Sequence, residues 1–437
     1  MKRILISIAA ILLHGALFAC CSRAQTTPLP VADRENWAAN PTVSPESSQG
    51  PNLGSTVINV LNYGAKGDRV TDDTASIDSA MTACVTRPRP NNGCVLYFPA
   101  GVYITTGVSL KSFVNLKGDG WGTTVIQLKP HTDADVLTVP ADVFNFSIYG
   151  LTLDGNSARG GTGNCFSTAT TPTGPGEWNT ANKRTATINA MKLGHIEEVM
   201  FSNCSRDGIH INAYNYMLTF DHFYVFNNGV YGVYTQGTNS GFSNFQIERN
   251  GTAGIHIANA NNRFTSGEVI WNGASVNTEA AVYVSGGRNI LTAVEAEDNY
   301  TNGFFDSGID DEFSGCVSDS NGYVSKNPGA SSRSASGFIL AGTGGVYVGD
   351  KVTSYRGRLP DGNFTTEWPY RIDTSNQARV DISYDSTNEP PHGSASSVPQ
   401  VGSPAAGHAA CIKSAGPPVV IGFCSTAVSP SGACSCN

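Results

Sequence analysis

Histidine, tyrosine and phenylalanine recur in this chain at one place of a short repeated phrase. The phrase reads Gly208-Ile209-His210-Ile211, Gly232-Val233-Tyr234-Thr235, Gly254-Ile255-His256-Ile257, Ala281-Val282-Tyr283-Val284 and Gly303-Phe304-Phe305-Asp306. Its alternation is that of a strand, so the third residue points away from its apolar neighbours. Stacked in parallel, strands ~4.8 Å apart place His210, Tyr234, His256, Tyr283 and Phe305 in one outward stripe. Flat rings in a row suit stacking on sugar rings, and a histidine beside a tyrosine can serve as an acid/base pair. His210, Tyr234 and His256 are therefore the expected proton-transfer groups, with Tyr283 and Phe305 binding substrate. Strand propensity alone also favours aromatics here.

A second constellation consists of carboxylates. Register puts Glu268 beside Glu295, with Glu248, Glu297 and Asp319 in the neighbouring column. A stacked pair is the arrangement of a retaining glycosidase and a wider pair that of an inverting one. The same hard oxygens suit Ca²⁺, the one cofactor the sequence suggests. Solvated surface acids are the plain alternative, and no firm metal site is read.

The elements that carry these residues are written as a repeat. One ten-residue line, beginning Phe220-Asp221-His222-Phe223-Tyr224, recurs five times over residues 220–322. Asparagine holds the ninth place each time: Asn228, Asn250, Asn272, Asn299 and Asn321, separated by 22, 22, 27 and 22 residues. Short strands and Gly/Asn turns at this period, without an amphipathic helix, predict a solenoid of parallel strands. Phe220, Phe242, Phe264 and Phe313, followed by Val225, Ile247 and Val269, are the expected core columns. The asparagines are expected to turn inward, hydrogen-bond along the stack and take up left-handed backbone.

Ahead of the repeats lies a strand, a glycine turn and a helix start. It runs Asn62-Tyr63-Gly64-Ala65-Lys66-Gly67-Asp68 with Thr71-Asp72-Asp73-Thr74, then Tyr97-Phe98-Pro99-Ala100-Gly101-Val102-Tyr103. Asp72 or Asp73 is the expected N-cap, and Ile77, Ala80, Met81 and Cys84 the buried helix face, closing the open solenoid end. These residues resemble the opening signature of the pectate-lyase-like superfamily, in particular its rhamnogalacturonase/epimerase-like domain. The resemblance implies a right-handed parallel β-helix over roughly residues 57–386. The fold hosts hydrolases, lyases, epimerases and binders, so it does not by itself name a reaction. Within the polygalacturonase family, Asp207-Gly208-Ile209-His210-Ile211 is similar to the second half of a double-aspartate motif. Arg206 replaces the first aspartate, Thr252-Ala253-Gly254 replaces a Gly-His-Gly, and no Arg-Ile-Lys strand is found. Those departures count against ordinary polygalacturonase hydrolysis. The similarity still implies Asp207 as a catalytic base or acid, or as the carboxylate that orients or polarises, beside His210, Tyr234 and His256. Convergence of Asp207, His210 and His256 in one cleft separates catalysis from plain binding.

Composition agrees with an elongated β protein. Charged residues are 14% of the 437, glycines number 48, and the net charge is -8. An acidic chain carries no nucleic-acid footprint. The first residues, with Lys2 and Arg3 before an apolar run, have the layout of a secretory signal peptide ending at Ala24, and lipidation of Cys20 is the alternative. Loss of the three cations Lys2, Arg3 and Arg23 would take the net charge from -8 to -11. Residues 25–55 read as an extended leader, 56–387 as the β-helix, 388–406 as a Pro/Ser/Gly linker and 407–437 as a Cys-rich hairpin tail. Cys84 with Cys94 and Cys165 with Cys204 are plausible disulfides, Cys316 a buried thiol, and the tail cysteines a separate set. Two loop tryptophans, Trp178 and Trp368, are candidate sugar platforms.

The reading is thus an all-β parallel β-helix with an N-terminal capping helix, secreted to an extracellular or periplasmic place, with no membrane span and no nucleic-acid partner. It would cleave an acidic, pectin-like polysaccharide, elimination ahead of hydrolysis; the alternative is a non-catalytic polysaccharide-binding adhesin or spike. Oligomeric state is not legible.

Overall fold

A computed structural model describes residues 56–86, 93–169, 191–275, 280–322 and 336–353, together with the strand backbones 368–372, 379–384, 410–412 and 421–423. The repeats form two sheets, one of sixteen strands and one of ten, in which every pairing between neighbouring strands is parallel. The long-strand sheet includes Tyr216–Phe226, Gly241–Glu248, Arg263–Ile270 and Ile290–Glu297. The short-strand sheet runs through Ile209–Ile211, Tyr231–Thr235, Ala253–Ile257, Ala280–Val284 and Asn302–Asp306. Its chain order is that of a parallel β-helix.

The expected core columns are the observed ones. Phe220 pairs with Phe242 and Phe242 with Phe264, while Val225, Ile247 and Val269 follow in register. The rings lie face to face at 4.9 and 4.3 Å. Each fully buried ring removes enough apolar surface from water to contribute ~1.5–3 kcal/mol.

Each long strand, read from sequence as one straight segment, turns a corner. Glu198, His222, Asn244, Ser266 and Ala293 all have φ between 47° and 56°. This left-handed backbone redirects the chain in every coil. Five different residue types occupy the corner, so nothing in the sequence marks it.

The asparagine ladder is present. Asn228 Nδ2 donates to Asn250 Oδ1 (2.9 Å), Asn250 to Asn272 (2.8 Å), Asn272 to Asn299 (3.1 Å) and Asn299 to Asn321 (2.8 Å). The left-handed conformation falls on the residue before each asparagine, namely Asn227, Arg249, Trp271, Asp298 and Ser320, which corrects the expected position by one. The ladder also explains the glycine that opens the short strands. A Cβ at Gly232 would fall 2.4 Å from Ile247 Cγ2 and 2.8 Å from Asn250 Nδ2.

A second ladder was not read from the sequence. Ser240 N–H donates to Asn262 Oδ1 (3.2 Å), Asn262 N–H to Asn289 Oδ1 (2.9 Å) and Asn289 N–H to Asp311 Oδ1 (2.7 Å). It ends beside a buried carboxylate, Asp306, which accepts the Tyr347 hydroxyl. Burial, reinforced by the Asp306 charge, pushes the Asp311 carboxyl up to about 8. Its Oδ2 is buried and meets no donor, as suits a group that keeps its proton. A carboxyl raised in the folded state is a stability term present at low pH, lost as pH rises from the unfolded value of 3.8 through about 8. Thermal stability of the parent protein should therefore fall between pH 5 and 8, and Asp311→Asn, which keeps the ladder acceptor, should flatten that slope. Melting curves of both proteins across the range check it; equal slopes would remove the pair as the cause.

At the N-terminal end, helix α1 (Thr74–Thr86) buries Ile77, Ala80, Met81 and Cys84 as its pattern predicts. Asp72 caps it through the Thr74 N–H (3.1 Å) and hydroxyl (2.6 Å). Asp73 turns back instead and accepts the N–H groups of Lys66 (2.7 Å) and Gly67 (3.1 Å), pinning the glycine turn. The Cys84–Cys94 disulfide ties the helix to the next strand, Cys165 is bonded to Cys204, and Cys316 is a buried free thiol. Burial pushes that thiol up to about 12, so it packs as an apolar group. In the tail, Ala410–Ile412 pairs antiparallel with Ile421–Phe423.

Candidate functional site

The outward column of the short-strand sheet is the stripe the phrases imply. Ser167, His210, Tyr234, His256, Tyr283 and Phe305 are consecutive cross-strand partners. Successive ring centroids from His210 to Phe305 lie 5.0, 5.2, 4.5 and 5.0 Å apart. Each ring is half-buried against the next, which fixes its plane. Tyr231 packs on Tyr234 and on the edge of His256, at 5.4 and 5.3 Å.

Asp207 and His210 are brought together by what precedes them. The Cys165–Cys204 disulfide fixes the turn three residues before Asp207. Asp207 N–H donates to Asn164 Oδ1 (3.1 Å), and its Oδ1 accepts the Tyr231 N–H (3.0 Å). The other oxygen, Oδ2, stands 2.6 Å from His210 Nδ1. On the far side of the ring, Nε2 is 3.3 Å from Asn212 Oδ1. The Asn212 amide has one sensible orientation, because its Nδ2 donates to the Thr168 carbonyl at 2.7 Å. Acceptor oxygens thus face both ring nitrogens of His210, with the Asp207 carboxylate behind the ring.

His256, two coils along, has the opposite setting. Burial pulls its pKa down to about 4, against the attraction of Asp207, so it is neutral at pH 7. Its Nε2 lies 3.0 Å from the Ser285 hydroxyl, and its Nδ1 is buried without a hydrogen-bond partner. Between the two histidines, the Tyr234 oxygen accepts from Gln236 Nε2 at 2.8 Å. Ser307 donates to the Tyr283 hydroxyl at 3.3 Å. The supporting residues Asn212, Gln236, Ser285, Ser307 and Tyr231 were not singled out from sequence. Their one signal is a polar residue two places after four of the five rings, namely Asn212, Gln236, Ser285 and Ser307; Ala258 follows His256, and nothing of the kind marks Tyr231.

Glu268 and Glu295 are direct cross-strand partners, as the repeat register predicts. They belong to the long-strand sheet, apart from the stripe, so they cannot act together with His210. Among the described residues no group of three or more His, Cys, Asp or Glu side chains is placed to hold a metal ion. Trp178 lies outside the described residues. Trp368, expected in a loop, instead opens the strand Trp368–Ile372, in register with Ser336.

A family model described as rhamnogalacturonase A/epimerase, pectate lyase-like, matches residues 57–274. The chain belongs to the pectate-lyase-like superfamily of parallel β-helices. Among curated relatives of this pectate-lyase-like chain, the mannuronan C5-epimerase AlgE2 of Azotobacter vinelandii is 38% identical over 111 residues, 22% of this chain and 11% of that protein. Alginate lyase 7 of the same organism is 33% identical over 111 residues, 22% of this chain and 12% of its own length. The exo-poly-α-D-galacturonosidase of Dickeya chrysanthemi is 45% identical over 60 residues, 14% of this chain and 9% of that one. The matched stretch is thus a small part of each relative. Among solved structures, the A-module of the Azotobacter vinelandii epimerase AlgE4 superposes with a TM-score of 0.54 at 21% identity, covering 75% of this chain and 96% of the module. The bacteriophage CBA120 tailspike protein 2 domain superposes with a TM-score of 0.57 at 15% identity, covering 76% and 47%. These likenesses establish the fold.

Proposed function

We propose that the short-strand face of this pectate-lyase-like β-helix binds a uronate-containing polysaccharide and abstracts the sugar C5 proton, with elimination across the glycosidic bond as the outcome. The observation that carries the reading is His210 held between Asp207 and Asn212 with both nitrogens facing acceptors, stacked on Tyr234. The His210 imidazole, backed by the Asp207 carboxylate, would stand beside a uronate carboxylate and steady the negative charge that builds there when the C5 proton leaves. Tyr234 is the group that takes the proton: acting as phenolate, a charge that the Gln236 amide donating into its oxygen and the neighbouring His210 ring stabilise, it accepts the C5 proton and becomes the phenol. The same hydroxyl can return the proton to the leaving oxygen. His256, neutral and with its nitrogens engaged or buried, serves with Tyr283 and Phe305 as the ring surface on which neighbouring sugars lie. The relatives named as epimerases and as an alginate lyase fit the same first step, because both reactions begin with loss of the C5 proton.

Export is part of this reading. Two disulfides and the apolar N-terminal run support a signal peptide ending at Ala24, with Cys20 lipidation as the variant form. No helix among the described residues is long and apolar enough to cross a membrane.

The test is incubation of the protein, with and without Ca²⁺, with polymannuronate, polygalacturonate and neutral polysaccharides in deuterated water. Ultraviolet absorbance of unsaturated uronate and new reducing ends rising together is the expected result. Deuterium at C5 without chain cleavage would make the protein an epimerase. Reducing ends alone would move the chemistry to a hydrolytic acid pair, Glu268 and Glu295. Binding with no turnover on any polymer would leave a polysaccharide-binding spike.

A further inference from the structure

A second ring-bearing surface lies on the long-strand sheet, and it is built around a tryptophan that sequence reading passed over. Trp121 occupies the tip of a glycine-rich turn laid across the next coil. Gly120 N–H donates to the Gly150 carbonyl (2.7 Å), Gly122 N–H to the Thr152 hydroxyl (3.0 Å) and Thr123 N–H back to the Gly120 carbonyl (3.1 Å). So pinned, the indole reaches coils further along the stack and meets the rings of His222 and Tyr224 edge-on, at 5.4 and 6.3 Å. It remains 40% exposed. Tyr224 is itself fixed, donating its hydroxyl to the Glu248 carboxylate.

From Tyr224 a single outward row runs on through Gln246, Glu268 and Glu295, one residue per coil. Three steps of ~4.8 Å make a polar track of ~14 Å leading away from the aromatic end. Gln246 is exposed and the two glutamates half-buried. The cations near its aromatic end are each beside an acid: His222 Nδ1 is 3.8 Å from Glu198, and Arg249 Nε is 3.8 Å from Glu248, with its guanidinium over the Trp271 ring at 4.7 Å; at the other end the row passes from Glu295 through Val317 to Lys351, two coils on. The track therefore presents acceptor oxygens and negative charge, which repel a polyuronate and suit the hydroxyl donors of an uncharged sugar.

We infer that this face is a second glycan site, for a neutral hexose or pentose chain, with Trp121 as the stacking platform and the Tyr224, Gln246, Glu268 and Glu295 row binding the hydroxyls. It is separate from the stripe of His210 and Tyr234, which lies on the other sheet. Its rings are already ordered against one another, so little side-chain freedom is lost on binding. A catalyst with such a face would be held on a neutral polymer while the stripe works on an acidic one.

Calorimetry of the full-length protein with cellohexaose, xylohexaose and mannohexaose tests it, with an oligomannuronate as the charged comparison. At least one neutral hexasaccharide should bind and perturb tryptophan fluorescence. Trp121→Ala should weaken that binding about tenfold or more, and Gln246→Ala about threefold, while turnover of the acidic polymer is unchanged. Tyr234→Ala should leave neutral-sugar binding within about twofold. Absence of binding by all three hexasaccharides at millimolar concentration would overturn the assignment. So would affinity that survives Trp121→Ala, or that is lost with Tyr234→Ala.

Discussion

Asp207→Asn and His210→Ala should each lower kcat on the responding polyuronate by about 10²–10⁴-fold, the range of a positioned acid/base group. Asp207 does two things at once. Its Oδ2 holds His210 Nδ1 at 2.6 Å, and its Oδ1 accepts the Tyr231 N–H at 3.0 Å. Asparagine keeps the shape and one acceptor, so the fold survives while the charge behind the imidazole is gone. His210 then loses the anionic partner that orients its ring toward the substrate carboxylate. The effect belongs in kcat more than in KM, because the charge is needed most when the C5 proton leaves. Asn212→Ala should give a smaller loss, about tenfold, since it removes an orienting contact 3.3 Å from Nε2 and leaves the Asp207–His210 contact intact. Circular dichroism and melting curves confirm that each variant is folded, and steady-state kinetics give the split. A kcat for Asp207→Asn within about threefold of the parent would remove the pair from the mechanism.

The largest stability effect is expected at the ladder. The Asn272 side chain accepts from Asn250 N–H (2.9 Å) and Nδ2 (2.8 Å), and donates to the carbonyls of Ile247 and Ile270 (both 3.0 Å) and to Asn299 Oδ1 (3.1 Å). It is fully buried, so Asn272→Ala strands donors and acceptors where water does not reach them. At ~1–3 kcal/mol for each group left unsatisfied, the loss should be about 3–6 kcal/mol. Asn272→Asp keeps the acceptor but not the donors, and it places a charge among carbonyls; it should be no better. Gln246→Ala, on the surface of the same coil region, should change stability by less than about 0.5 kcal/mol. Urea denaturation gives the difference. A solenoid is held by nearest-neighbour contacts, so amide exchange should quicken most in the coils flanking Asn272. A loss under about 1 kcal/mol, or exchange that quickens evenly throughout, would mean the ladder is not what ties the coils together.

The stripe was legible because a strand alternates with period two and the repeat keeps register, so a column in the sequence is a column in space. The Phe220, Phe242 and Phe264 stack followed from the same register and the buried face of α1 from helical spacing, whereas spacing named Cys84–Cys94 and Cys165–Cys204 only as candidate pairs and the folded coils fix them. The corner at His222 and its equivalents was not legible, because left-handed backbone there falls on five residue types and is imposed by coil closure. The platform at Trp121 was missed for a related reason: its ring partners, His222 and Tyr224, are about a hundred residues away in the chain.

The amino-acid sequence by itself determined that the chain coils, which residues stack, and which rings face out, since these depend on local alternation and a repeat length. Tertiary structure alone decided what those rings can do. The imidazole of His210 is held between two acceptor oxygens only because Asn164, Thr168 and Tyr231, from neighbouring coils, place Asp207 and Asn212 on either side of it. His256, the same residue type in the same column, is neutral because its coil buries it. Protonation follows from the acceptors and the burial around a ring, and those are assembled only when distant coils are brought within hydrogen-bond reach.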